Sequence, residues 1–88
     1  MLYPIISYED GTEVTASKPD SNGRITLYTE KFDKEADEFI YAEILIPNPT
    51  VVSSRGYDRE TLDEMLRDYA EIQDDVIEYV MEKVKKSA

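Results

Sequence analysis

The chain contains no cysteine and no histidine, and these absences exclude several kinds of chemistry. Without cysteine there are no disulfides, no thiolate nucleophiles and no thiolate-bound metal ions. Without histidine the chain lacks the usual general base at neutral pH and the commonest ligand of transition metals. Zinc sites, Ser-His and Cys-His nucleophile systems and histidine phosphotransfer are therefore excluded.

Basic residues are also scarce, because 10 Lys and Arg stand against 20 Asp and Glu, for a net charge of −10. Direct nucleic-acid binding and binding to anionic membranes are disfavoured, since both depend on Lys and Arg. The charge instead favours a basic protein surface as partner, such as that of a nucleic-acid-binding protein. No apolar run approaches the ~18 residues of a membrane span, and residues 1–6 lack the features of a secretion signal. We expect a cytoplasmic location.

The first half of the chain predicts an antiparallel sheet of about four strands within residues 2–46. The strands are predicted at residues 2–8, 13–17, 24–30 and 39–46. Asp10-Gly11 is typical of a tight hairpin turn, and Asn22-Gly23 of a second turn. Residues 31–38 are predicted to be a charged connection between strands.

Residues 47–57 form a predicted loop, and residues 58–86 form a long amphipathic helix. Within the loop, residues 50–55 fit either a short fifth strand or a packed loop. Asp58 is a suitable N-cap for the helix. The alternative to one continuous helix is a break at Asp74-Asp75. With 88 residues, the chain is predicted to form one α+β domain over residues 1–88, with the helix packed on one face of the sheet.

The length of this helix creates a packing problem. Residues 58–86 would extend ~43 Å as a helix, whereas a four-stranded sheet is less than ~20 Å wide. The sheet therefore leaves the C-terminal part of the apolar stripe in need of a second surface. A homodimer through Val76, Val80 and Val84 is one way to supply that surface.

The polar side of the helix is densely acidic. Its carboxylates recur at steps of three and four residues and are the candidate partner-binding residues: Glu60, Glu64, Glu71, Asp74, Asp75, Glu78 and Glu82. That spacing, roughly 5–6 Å, is comparable to the separation of phosphates along a nucleic-acid strand. The functional hypothesis is a dock for a basic groove or a nucleic-acid mimic, and the alternative is a solvated outer face.

The paired carboxylates and the tyrosines give weaker indications of function. Glu60 with Glu64, and Asp74-Asp75 with their neighbours, lack the pattern of a calcium loop or of a sheltered acid-base pair. We therefore predict no catalytic residue, no metal ligand and no cofactor. Tyr28 and Tyr41 are expected to share the sheet face away from the helix, which makes that face a second candidate interface.

The opening Met-Leu-Tyr-Pro-Ile-Ile, followed by Asp10-Gly11, resembles the first strand and turn of HicB-type antitoxins. The resemblance ends there, since the Gly-Cys segment of that family is absent, and no function follows from it. The sequence as a whole predicts a small acidic binding protein rather than an enzyme. Inhibitors from phage or mobile elements, anti-CRISPR proteins, DNA mimics and antitoxin or immunity proteins act in this way. The alternative is a self-associating structural domain with no charge-based target.

Overall fold

The structure, a computed structural model, describes residues 2–87 as a five-stranded antiparallel sheet followed by one helix. This confirms the predicted α+β class. The strands lie side by side in chain order, because each is joined to the next by a short turn. Met1 and Ala88, which the predicted 1–88 domain includes, lie outside the described residues. The elements are β1 (Tyr3–Ser7), β2 (Glu13–Ala16), β3 (Ile25–Asp33), β4 (Glu38–Ile46), β5 (Thr50–Arg55) and α1 (Arg59–Ser87).

The sheet is larger than predicted in two places. Residues 50–55, for which the sequence left two alternatives, form β5 and pair with β4. Half of the predicted connection at residues 31–38 is strand, since β3 and β4 remain paired as far as Asp33 and Glu38, and residues 34–37 form the turn between them. That prediction was wrong because charged side chains are compatible with a strand that exposes them to water. Beyond Glu30 and Tyr41 the β3–β4 hairpin pairs with no other strand of residues 2–87 and extends past the sheet.

One face of the sheet forms the core with the helix. Alternate residues of β2, β3 and β4 point toward α1 and are buried, as the two-residue period of a strand requires. The largest fully buried side chains include Ile25, Leu27, Ile44 and Ile46, which meet Val80 of the helix in one cluster. Leu62 and Leu66, near the start of α1, lie beside the first residues of β5.

The C-terminal half of α1 lies over the opposite edge of the sheet, where Val76 and Tyr79 share a groove with Pro4 of β1. The helix therefore crosses the sheet from β5 to β1. This course corrects the predicted overhang, because Val76 is 5% exposed and Val80 is fully buried within the chain. Val84 packs against the same core. A fifth strand and the crossing path give the helix more sheet than the prediction assumed, so the premise for a dimer through these valines fails.

The helix begins as predicted and does not break. The Asp58 carboxylate accepts a hydrogen bond from the Thr61 backbone N–H at 2.8 Å, which is the geometry of an N-cap. Hydrogen bonding from the Thr61 side chain, together with the bond from its backbone N–H, holds the pKa of Asp58 below its usual value. Hydrogen bonding continues without interruption through Asp74 and Asp75. The apolar side of α1 therefore faces the sheet along the whole length of the helix.

Candidate functional site

The carboxylates predicted to bind a partner share one exposed side of α1. We call this surface the acidic helix face; each of its residues is exposed to solvent: Glu60, Glu64, Glu71, Asp74, Asp75, Glu78 and Glu82. The placement follows from helical periodicity, because Tyr69, Val76 and Val80 on the opposite side are buried against the sheet. From Glu60 to Glu82 the helical rise amounts to ~33 Å. The structure thus brings together every residue that the sequence proposed for this surface.

Two ion pairs of the molecule lie away from the acidic helix face. In the part of the chain that the structure describes, the ion pairs Lys31–Asp10 and Arg55–Glu38 both lie on the sheet and its turns. Lys83 lies over the ring of Tyr79, with its Nζ 5.4 Å from the ring centroid. Like charges at three- and four-residue spacing destabilise a helix slightly. The repulsion is tolerated here because the core side of the helix is anchored on the sheet.

The other side of the molecule is an uncovered sheet surface. We call it the open sheet face; it includes the following strand residues, which point away from α1: Glu13, Thr15, Thr26, Tyr28, Glu30, Phe32, Phe39, Tyr41, Glu43, Leu45, Ser53 and Arg55. The prediction that Tyr28 and Tyr41 share this face is confirmed by the β3–β4 register. The hydroxyl of Tyr41 lies 3.3 Å from that of Ser53, a hydrogen bond that ties the side chain to β5.

Phe32 and Phe39 end this face at the tip of the β3–β4 hairpin. They are directly opposite in the strand register and their rings meet edge to face, with centroids 5.2 Å apart. Phe32 is 41% exposed and Phe39 is 61% exposed, so the pair is open to solvent. The sequence prediction missed this pair because it placed Phe32 in the charged connection at residues 31–38 and Phe39 at the first position of a strand. The alternation of Lys31-Phe32-Asp33 was the signal that could have extended the strand.

A groove of about 270 Å³ lies between α1 and the β1–β2 turn. Tyr8, Tyr57 and Tyr69 line it together with Asp10 and Lys31. Burial raises the pKa of the Tyr69 phenol to about 12, although its hydrogen bond to Thr29 acts in the other direction. Burial, reinforced by nearby Asp10 and Glu30, also raises the pKa of Tyr57.

The Asp10 carboxylate has the opposite shift. Hydrogen bonds from Thr12 hold its pKa below the usual range, and the Lys31 ammonium, 3.4 Å away, acts in the same direction. At neutral pH the phenols of Tyr57 and Tyr69 therefore stay protonated and the carboxylate stays charged. None of these three groups changes its protonation state near neutral pH.

Two further findings concern residues 2–87. No group of three or more Asp and Glu side chains among them is arranged so that it could hold a metal ion. Their one helix is too polar to cross a membrane.

Neither a known protein family, nor a curated protein, nor a solved structure matches this chain.

Proposed function

We propose that this protein is a non-enzymatic binding protein whose acidic helix face engages a basic surface on another protein in the cytoplasm. The observation that carries the proposal is the exposure of all seven carboxylates of the acidic helix face along one side of α1. A rigid helix fixes the spacing of these charges, so little conformational entropy is lost when a partner binds. A partner that normally binds nucleic acid would present suitably spaced Lys and Arg.

The protonation states of the groups with shifted pKa values support binding rather than catalysis. The groups with shifted pKa values, Asp10, Tyr57, Asp58 and Tyr69, are held away from the neutral range, in which a general acid or base works best. Their charge states are therefore constant at neutral pH. Small inhibitors from phage or mobile elements, including anti-CRISPR proteins and DNA mimics, and antitoxin or immunity proteins use this mode of action.

The test combines partner capture with matched charge reversals. The immobilised protein is exposed to a host lysate at low salt, and the captured proteins are challenged with moderate salt and with excess duplex DNA. We expect a basic protein that is released by salt, because screening weakens contacts between exposed charges. Release by DNA would identify the captured surface as one that also binds nucleic acid.

The decisive comparison uses variants with the same net charge. Glu71→Lys with Glu78→Lys changes the acidic helix face, whereas Glu9→Lys with Glu35→Lys makes the same change in exposed turns. We expect capture to be lost with the first pair and kept with the second. Equal capture by both pairs would show that net charge alone attracts the partner, and the proposed role of the helix would be abandoned.

A further inference from the structure

We infer that the open sheet face binds arginine side chains of a partner polypeptide. The face combines aromatic rings with carboxylates in an alternating pattern across β3 and β4. Tyr28 stands opposite Glu43, and Glu30 stands opposite Tyr41. Side chains at such paired positions on one face are neighbours, with Cβ atoms roughly 4.5–5.5 Å apart. Each tyrosine therefore has a carboxylate beside it.

The charges of this face are unbalanced. Glu13 and Glu30 are directly opposite in the β2–β3 register, and both are exposed. Like charges at directly opposed positions destabilise a sheet. Among the described residues that form the face, Arg55 alone is basic, and its guanidinium is held by Glu38 at 2.6 Å. A cationic group from another molecule would relieve the repulsion between Glu13 and Glu30.

Arginine suits this pattern better than lysine does. Its planar guanidinium stacks on an aromatic ring and at the same time donates paired hydrogen bonds to a carboxylate, whereas an ammonium group is a compact and strongly hydrated charge. Tyr28 with Glu43, and Tyr41 with Glu30, offer a ring and a carboxylate at adjacent positions. The exposed Phe32–Phe39 pair at the hairpin tip adds an apolar contact for neighbouring side chains of the partner.

A second copy of this chain is a poor occupant. Two open sheet faces placed against each other would bring together the carboxylates of Glu13, Glu30 and Glu43 from both chains. A net charge of −10 on each chain adds long-range repulsion. The inference is also independent of the acidic helix face, because the two surfaces lie on opposite sides of the sheet. Either one can fail a test while the other passes.

The experiment compares peptides that differ only in the type of cation. The probes are acetylated, amidated peptides of alternating arginine and glycine, and of alternating lysine and glycine, with equal length and charge. Binding is followed by amide chemical shifts of the ¹⁵N-labelled protein and by calorimetry. We expect the largest shifts at Tyr28, Glu30, Tyr41 and Glu43, and about fivefold tighter binding of the arginine peptide.

Variants locate the binding without altering the fold. Glu30→Gln with Glu43→Gln keeps the size of both side chains and should weaken arginine-peptide binding by about fivefold. Glu71→Gln with Glu78→Gln removes the same charge from the acidic helix face and should leave the shifts on the sheet in place. Equal affinity for the two peptides, or shifts confined to α1, would overturn the inference. Concentration-dependent shifts on this face without peptide would overturn it too, since they would identify a second copy as the occupant.

Discussion

The hydroxyl oxygen of Tyr69 lies 2.5 Å from Oγ1 of Thr29, and this buried hydrogen bond joins the middle of α1 to β3. Thr29 is 1% exposed and Tyr69 is 3% exposed, so both side chains are shielded from most of the surrounding water. The contact adds a polar link to the apolar packing between the helix and the sheet.

Removing one hydroxyl of this pair should cost more than removing both. Tyr69→Phe leaves the Thr29 hydroxyl buried without its partner and should lower the free energy of unfolding by about 1–2 kcal/mol. Thr29→Val should have a similar effect, because it leaves the phenol unpaired. In the double variant both positions are apolar and of nearly native shape, so the loss should be well below the sum. Urea unfolding of the four proteins measures the cycle, and strictly additive losses would contradict a direct coupling.

The protein should lose stability at alkaline pH because of the raised pKa of Tyr69. Burial raises the pKa of Tyr69 to about 12, whereas an unperturbed phenol ionises near 10. Above pH ~10 the unfolded chain loses this proton first, so unfolding becomes more favourable as the pH rises toward the folded pKa. The raised pKa of Tyr57 acts in the same direction.

Denaturant unfolding at a series of pH values from 9 to ~11.5 measures this dependence. Tyr69→Phe should make the free energy of unfolding fall less steeply with pH. Tyr79→Phe is the control, because it removes a phenol that is 42% exposed and should leave the decline unchanged. A decline of the same steepness in the Tyr69→Phe protein would assign the effect to other groups.

Gly56 should tolerate no side chain. Its φ is +90°, and a Cβ there would overlap Cγ2 of Ile40 and lie 2.7 Å from Cβ of Ile40. Gly56→Ala should therefore combine backbone strain with overpacking and lower the free energy of unfolding by about 3 kcal/mol or more. Gly23→Ala is the matched control, since Gly23 has a φ of +78° with no atom within 4 Å of the new Cβ.

The control should show the backbone cost alone, about 1 kcal/mol. Thermal or urea unfolding of both variants separates the two contributions. Similar losses in both proteins would show that Ile40 moves aside at little cost, against the close packing seen at the join between β5 and α1.

Val80 should stabilise the single chain rather than a dimer. Its side chain is fully buried against the sheet, so Val80→Ala should cost about 2 kcal/mol through lost burial and a residual cavity. Met81→Ala, at the next position and 38% exposed, should change stability by less than about 0.5 kcal/mol. The unfolding midpoint should not depend on protein concentration for any of these proteins, whereas a midpoint that rises with concentration would restore the dimer hypothesis.

Local chemistry explains which parts of the fold were predictable. Asp58 caps the helix because its carboxylate reaches a backbone N–H only a few residues ahead, so no distant residue is needed. The turn at Asp10-Gly11 is equally local, since Asp10 accepts a hydrogen bond from the Thr12 N–H at 2.9 Å. The apolar and acidic sides of α1 follow from the helical period alone.

Other elements depend on contacts between residues distant in sequence. Residues 50–55 become a strand because β4 offers an edge for them to pair with, and the sequence of this segment does not specify that partner. The same applies to Phe32 and Phe39, which meet only once the hairpin has formed. The pairing of Glu13 with Glu30 depends on the β2–β3 register, which is set by the turns and by burial of the opposite face.

The sequence by itself determined the α+β class, the long helix with its acidic side and the absence of cysteine and histidine chemistry. These properties depend on composition and on short periodic patterns, which act within a few residues of each other. Only the tertiary structure decided that Val76 and Val80 are covered by the chain's own sheet and that Glu43 and Glu30 stand beside Tyr28 and Tyr41 on the open sheet face. The path of the helix decides the first of these features, and the strand register decides the second. Path and register are set by burial of apolar area from the whole chain at once, so no short segment can specify them.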